Sequence, residues 1–469
     1  MQRTGAAEER DTKVVNEQRG AFGLHVDHLV PGSLQLAEDG AFLLELHGFL
    51  FEPEQLDMTK PGVVSYSGDA AKVVADYVPR DIIGTLEDGQ PVTLFRALME
   101  SPSLFFSSPV QTFRGAMSLM GAHLQGERAD VQGIRWTWYL PPGINFEPEK
   151  PPIELEGSLA GTLQAWNLNE GKGFQFTARE DTSLQTLRNQ VQLSCGQLLG
   201  LWTGQKVPGV IHTEVKVGND WHVLIVQGGD PSPLAQGTFL PVQDLSQSMF
   251  TAWIPLGQKI DPYHYILNAL TNTLQLDAQL LSTGLEGLHR RLCDDDARFK
   301  NVAVRAVQRA AREARHKGVE ALCRVGFQDE QYAHTVFAET LRHLNQMTYQ
   351  DRAVELLRPV HEIVPSLFGP DLSKWVEMVK KVRNQQSHQL VEDFDESSIV
   401  IYYVVVESCR WALVLRILFE LEPEYDFPSH LARSDRFSFA LANIDREELW
   451  AGFSALVEFR AHVPRQPQK

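Results

Sequence analysis

Apolar positions along this chain follow two different periods. Through the first half they alternate with polar ones over short runs. "SLQLAEDGAFLLELHG" alternates, turns at Glu38-Asp39-Gly40 and alternates again, as a hairpin does. "DIIGTLEDGQPVTLF" repeats the design around Asp88-Gly89, and "GIRWTWYL" and "DWHVLIVQ" are rich in the aromatic and β-branched residues that suit strands. One helix is expected to interrupt them, around Ser183 to Trp202. The β-rich part is expected to run from about residue 22 to 255, with breaks such as "LPPGINFEPEKPPIEL" between subregions.

After "KIDPYHY" the period lengthens. "YILNALTNTLQLDAQLLSTGLEGLHRRL" carries leucines at three-to-four spacing, which predicts one helix of more than five turns. "NVAVRAVQRAAREARHKGVEAL" and "EQYAHTVFAETLRHLNQM" follow, then a helix after Tyr349, then "PDLSKWVEMVKKVRNQQSHQL", opening on a Pro-Asp start signal. The run from Ile399 to Leu421 is long enough to span a bilayer, but Glu407, Arg410, Arg416 and Glu420 lie within it. Such charges are costly in lipid, so a core helix is expected and no membrane partner. The last 45 residues hold one weak helix, near "REELWAGFSALVEF", and a polar tail.

The expected fold class is therefore α+β: a β-rich N-terminal domain followed by an all-α bundle. The expected divisions are a disordered lead-in over 1–21, a β-rich domain over 22–258, a helical domain over 259–424 and a helical extension with a tail over 425–469. A chain of 469 residues is too long for one typical core. Its formal net charge of −17 argues against indiscriminate nucleic-acid binding and leaves room for a local basic patch. Cys195, Cys293, Cys323 and Cys409 make no CxxC pair and read as buried thiols of a reducing compartment. The N-terminal stretch mixes both charge signs and has no apolar core segment, unlike a secretory signal. A cytoplasmic location is expected.

The stretch "RNQQSH" places Arg383, Asn384 and His388 in one helix. With 29 arginines and 15 histidines in 469 residues, about one Arg-x4-His spacing is expected by chance, and there is one, so spacing alone decides nothing. The chemistry is more suggestive. Asn384 and His388 are i,i+4 and share a face, whereas Arg383 lies about 140° around the axis from His388, five residues at about 100° each. Arginine offers a planar fork that matches phosphate oxygens, and histidine exchanges a proton near neutral pH. RNA supplies its own nucleophile in the 2′-hydroxyl, so a base and a cation suffice for scission to a 2′,3′-cyclic phosphate and a 5′-hydroxyl, and no cofactor or metal is required. The plainer reading is a solvated helix end.

Residues 290–317 crowd nine cations, and Arg305, Arg309 and Arg312 recur at i, i+4, i+7. That stripe is either an RNA-backbone footprint or a solvated helix face. Glu286, in "LEGLHRR", either fixes Arg383 or a histidine in a cleft or simply pairs with Arg290 at i+4. "LHVDH" puts His25 and Asp27 on one side of a strand and His28 on the other, poor metal geometry. Trp136, Trp138, Trp202 and Trp221 read as core aromatics before they read as a recognition surface.

The helices around "RNQQSH" resemble the HEPN superfamily, whose signature is an arginine, a polar residue, a short spacer and a histidine. The whole layout resembles the ApeA-like anti-phage proteins over roughly residues 22 to 420, through "IIGTLEDGQPVTLF", "LMGAHLQGERADVQGIRWTW", "SCGQLLGLWTGQKV" and "LLSTGLEGLHRRL" in that order. The resemblance implies a metal-independent endoribonuclease of abortive infection. Arg383 would contact the scissile phosphate, Asn384 would orient it or the imidazole, and His388 would act as base or acid. It also implies a homodimer or higher homo-oligomer through the helical domain, tRNA or mRNA as substrate, and a phage-derived trigger at the N-terminal domain. Two rivals remain open: a non-catalytic RNA-binding or interaction protein, and a HEPN toxin neutralised by a separate partner.

Overall fold

The computed structural model describes residues 14–37, 40–51, 56–60, 63–66, 69–105, 108–124, 130–140, 146–147, 150–169, 171–227, 237–271, 273–293, 297–388, 396–446, 450 and 452–462. The chain divides into two compact units. The first holds residues 1–199, 207–235 and 243–255, and the second holds 200–206, 236–242 and 256–469.

The first unit carries fifteen strands among the described residues: β1 (Val14–His25), β2 (His28–Ala37), β3 (Phe42–Leu46), β4 (Leu56–Lys60), β5 (Val63–Tyr66), β6 (Arg80–Leu86), β7 (Pro91–Phe105), β8 (Ser108–Gly115), β9 (Met117–Met120), β10 (Asp130–Trp138), β11 (Ile153–Leu155), β12 (Gly161–Leu168), β13 (Gly171–Ser183), β14 (Val210–Val217) and β15 (Asp220–Val226). Thirteen form one sheet in the order β11-β12-β13-β10-β14-β15-β9-β7-β6-β1-β2-β3-β8, and β7 also pairs with β8. That last pairing closes β1, β2, β3, β6, β7 and β8 into a ring, which removes sheet edges. Alternate residues of these strands, among them Phe22, Leu34, Leu44, Ile82, Leu94 and Phe113, fill one buried core. The 15-residue β7 pairs with β6, β8 and β9, which it reaches by bending. Arg96 adopts φ 49° at the register shift between Arg80 and Ile82, and its N–H donates to Asp81, a bulge that turns the strand.

Both hairpins read from the sequence are present, β2–β3 and β6–β7. The helix expected over 183–202 is present, as α2 (Leu184–Thr186), a π-helical segment Leu187–Leu193 and α3 (Ser194–Thr203). Three other expectations are corrected. First, β1 begins at Val14, inside the stretch read as a disordered lead-in, because β2 pairs with it from Val14 and β6 joins on the other edge from Gly20; residues 1–13 lie outside the described residues. Second, Val26 and Asp27 form the turn between β1 and β2, with His25 opposite His28, so "LHVDH" is no strand. Third, α4 (Gln247–Ile260) occupies what was read as the end of the β-rich part, despite Pro255 within it. Burial of Phe250, Trp253 and Ile254 and the bond from Trp253 Nε1 to the Ser194 carbonyl, 2.7 Å, outweigh the break that a proline suggests. A short α1 (Ala70–Asp76) completes the elements before it. Trp136, Trp138 and Trp202 are fully buried, whereas Trp221 is half-buried over Arg135.

The second unit is helical: α5 (Tyr263–Asn268), α6 (Leu274–Leu292), α7 (Val304–Arg324), α8 (Glu330–Arg342), α9 (Tyr349–Ile363), α10 (Leu372–His388), α11 (Glu396–Leu421), α12 (Phe427–Leu431), α13 (Asp435–Arg446) and α14 (Ala455–His462). The single leucine-rich helix expected over 265–292 is two. The chain breaks between α5 and α6, where the Asp277 carboxylate accepts from the N–H and hydroxyl of Thr271, both at 2.8 Å. A Cβ on Gly287 would collide with the Tyr263 hydroxyl, so glycine lets α5 lie against α6. The one weak C-terminal helix expected near 446–459 is likewise replaced by α13 and α14, joined through Asp445, which accepts from Ser454 and the Leu456 N–H. Helix α11 is long and apolar enough to cross a membrane by length and composition, yet 61% of its apolar window is buried. Inside this unit it packs on α6, α9, α10 and α13. Of the four cysteines, Cys195 and Cys409 are buried, but Cys293 is half-buried and Cys323 exposed, which corrects the expectation of four buried thiols.

A candidate active site at the end of the tenth helix

Helix α9 opens with a capping box. The Thr348 side chain accepts from the Asp351 N–H, and Asp351 accepts from the Thr348 N–H, an arrangement that satisfies two otherwise orphaned donors. The cap fixes which way the following residues face. Tyr349 and Arg352, three apart, both turn into the bundle. The Tyr349 hydroxyl donates to the Ser282 carbonyl at 2.8 Å, and burial pushes its pKa well above the ordinary tyrosine range, so it stays protonated. Arg352 is only 2% exposed. A buried guanidinium needs an acceptor, and Glu286 on α6 supplies it: Arg352 Nη1 donates to Oε1 at 2.6 Å.

The same carboxylate holds Arg383. Its Nη2 donates to Glu286 Oε2 at 3.1 Å, and its guanidinium lies 4.7 Å from the centre of the Tyr349 ring, a cation–π distance. Arg290 donates to Oε1 as well, at 3.0 Å. Glu286 therefore does both things its position allowed: it pairs with its i+4 neighbour and it fixes Arg383. Burial pulls its carboxyl upward, but the hydrogen bond from Arg290 and the charges of Arg383 and Arg352 outweigh that and hold it below the ordinary glutamate value. Three guanidiniums thus share the one carboxylate of Glu286.

Helix α10 starts where Asp371 accepts from the Ser373 and Lys374 N–H groups. It runs through His388. Arg383 is half-buried and Asn384 exposed. The side chain of His388 lies outside the described residues.

Of the basic stripe, Arg305, Arg309 and Arg312 are all exposed on α7. Only Val307 and Val319 of that helix are buried, because it packs chiefly on α8. Other cations of the crowded region are already engaged: Arg298 with Asp351 at 3.6 Å, Lys300 with Glu355 at 2.6 Å and Lys317 with Glu320 at 3.1 Å. Asp294, Asp295 and Asp296 lie outside the described residues. No group of three or more His, Cys, Asp or Glu side chains fit to hold a metal occurs among the described residues.

Sequence reading missed Tyr349 and Arg352, and it missed the trio of His289, Glu355 and Lys300, in which Glu355 accepts from both neighbours at 2.9 and 2.6 Å. The available signal was weak: Tyr349 and Arg352 share a helix face with three-residue spacing, yet Glu286 is 66 residues from Arg352.

Residues 280–427 match the family model described as Apea-like HEPN. No curated protein and no solved structure matches the chain. The matched span contains Glu286, Tyr349, Arg352, Arg383 and His388, and it covers α7 to α11 with most of α6.

Proposed function

The chain carries a C-terminal ApeA-like HEPN domain, a domain class tied to nucleases of anti-phage defence, and from that premise we propose that it is an endoribonuclease working through Arg383, Asn384 and His388. The observation that carries the reading is the state of Arg383. It is stacked on Tyr349 and anchored by Glu286, so its fork is oriented.

In this reading the RNA phosphate docks against the Arg383 cluster. An imidazole of His388 takes the proton of the adjacent 2′-hydroxyl. The 2′-oxygen attacks phosphorus, the bond to the 5′-oxygen breaks, and that oxygen leaves with a proton from a second acid. The products are a 2′,3′-cyclic phosphate and a 5′-hydroxyl. One positioned acid–base group contributes about 10²- to 10⁴-fold, and a fixed cation at the developing charge contributes further. Position 388 sits about 140° around the helix from 383, which favours a site assembled from two copies of the chain, Arg383 of one facing His388 of the other. We propose a homodimer or higher homo-oligomer on those grounds. The α7 stripe would draw in RNA, and the N-terminal β-rich unit would sense a phage-derived trigger in the cytoplasm and release the nuclease to arrest the infected cell.

The test is purified protein with total RNA in EDTA, followed by end-group analysis. Cleavage with cyclic phosphate ends that disappears in His388→Ala, with fold and RNA binding retained, is the expected result. Cleavage that appears only on adding a divalent ion, or that survives in His388→Ala, overturns the mechanism. Binding without any cleavage by the native protein returns the chain to the class of RNA-binding proteins.

A further inference from the structure

Helix α9 has two working faces. Its inner face, Tyr349 and Arg352, holds the Arg383 cluster. Its outer face, Gln350, Asp351, Val354, Glu355 and Arg358, forms one wall of an open groove of about 700 Å³, whose other lining includes Arg298, Phe299, Lys300 and Ser373. That volume lies in the range of small-ligand sites.

The charges of this groove are ordered. Arg298 is set by Asp351 and Lys300 by Glu355. Glu355 also receives the fully buried His289 at 2.9 Å. Both carboxylates are thus occupied, which leaves no pair of acids to hold a cation. Arg358 is exposed and has no ion pair among the described residues, so it supplies the groove's uncompensated positive charge. Phe299, between the two anchored cations in sequence, leaves 41% of its surface exposed. A ring flanked by cations beside an uncompensated guanidinium is what a nucleotide of a single strand needs: a π-face for the base and donors for the phosphate.

We propose that this groove is a second nucleic-acid subsite, one that takes an unpaired nucleotide of the substrate RNA with its base on Phe299 and its phosphate on Arg358. The inference rests on the ribonuclease reading for the identity of the strand, but not for the contacts. Its place on α9 gives it a role: the helix that anchors Arg383 from within also holds the flanking strand from without.

The test measures binding of a fluorescently labelled 12-nucleotide single-stranded RNA, 2′-O-methylated throughout so that it cannot be cut, to the full chain in EDTA. Arg358→Ala and Phe299→Ala should each weaken binding by roughly ten-fold, Arg358→Ala should also flatten the salt dependence by about 0.7 in slope, and Arg358→Lys should restore most of the loss. An RNA duplex of the same length should compete poorly, since its bases are stacked inside. Native-like binding by both variants, equal competition by duplex, or no binding by the native protein overturns the subsite. The ribonuclease reading fails separately: weakened binding in the variants together with no cleavage of unmodified RNA by the native chain leaves the groove standing and removes the nuclease.

Discussion

Two sets of arginines in the helical unit carry the same charge and live under opposite conditions. Arg352 and Arg383 share the Glu286 carboxylate, one at 2% exposure and the other stacked on Tyr349. Arg305, Arg309 and Arg312 stand in solvent on α7 and form no ion pair among the described residues. In the first set desolvation makes every charge answer to a partner, and geometry follows from that demand. In the second, water and salt screen the charges, so the stripe offers a field without a defined contact. A site that must align a fork with one phosphate needs the first condition, and capture of a polyanion needs only the second.

The largest effect that tests this contrast is on catalysis. Arg383→Lys keeps the charge but loses the fork and the stacking surface, and single-turnover cleavage should fall by about 10²-fold or more. The same exchange at Arg309 and Arg312 together should leave cleavage and RNA affinity within about two-fold. If the two exchanges behave alike, the contrast between anchored and screened arginines is broken.

Next is stability. Glu286→Ala removes the carboxylate to which the buried Arg352 donates and should cost about 3 kcal/mol in urea denaturation. The acid side sharpens this. The Glu286 carboxyl is depressed in the folded state, because its arginine partners outweigh burial. Its contribution should therefore be complete above the ordinary glutamate value of 4.5 and fade as pH falls through the lower folded value. The stability gap between the native chain and Glu286→Gln should shrink over that window. A gap that is flat with pH would show that the carboxylate charge is not what holds the arginines.

A smaller effect belongs to the exposed stripe. Replacing Arg305, Arg309 and Arg312 together by Ala should leave stability within about 0.5 kcal/mol, and should flatten the salt dependence of RNA binding by roughly 2 in slope, about 0.7 per phosphate lost. An unchanged slope would assign the stripe to plain solvation. The smallest effect is Arg290→Ala. It removes a pair whose arginine is 51% exposed, so both stability and cleavage should move little, about 0.5 kcal/mol at most, which would leave Arg352 and Arg383 as the working partners of Glu286.

Much of the fold was legible because it is local. The alternation in 33–46 and the Asp88-Gly89 turn specify hairpins, and the leucine spacing with the Pro-Asp start specifies α6 and α10. The misreadings arose where a distant surface overruled a local signal. Pro255 stays inside α4 because Trp253 reaches Ser194, and polar β1 pairs from Val14 because β2 runs alongside it.

For the site, sequence determined which chemistry was on offer: the types and spacing of Arg383, Asn384 and His388, the basic run of α7, and an acidic residue at 286 with an arginine four positions on. Only tertiary structure decided which partner each charge answers to. It brought Glu286, Tyr349, Arg352 and Arg383 together from three helices, buried one guanidinium and stacked another, and left the α7 arginines in water. The physical reason is that a charge acquires a geometric requirement only when it loses its solvent, and how much solvent it loses depends on segments far away in the chain.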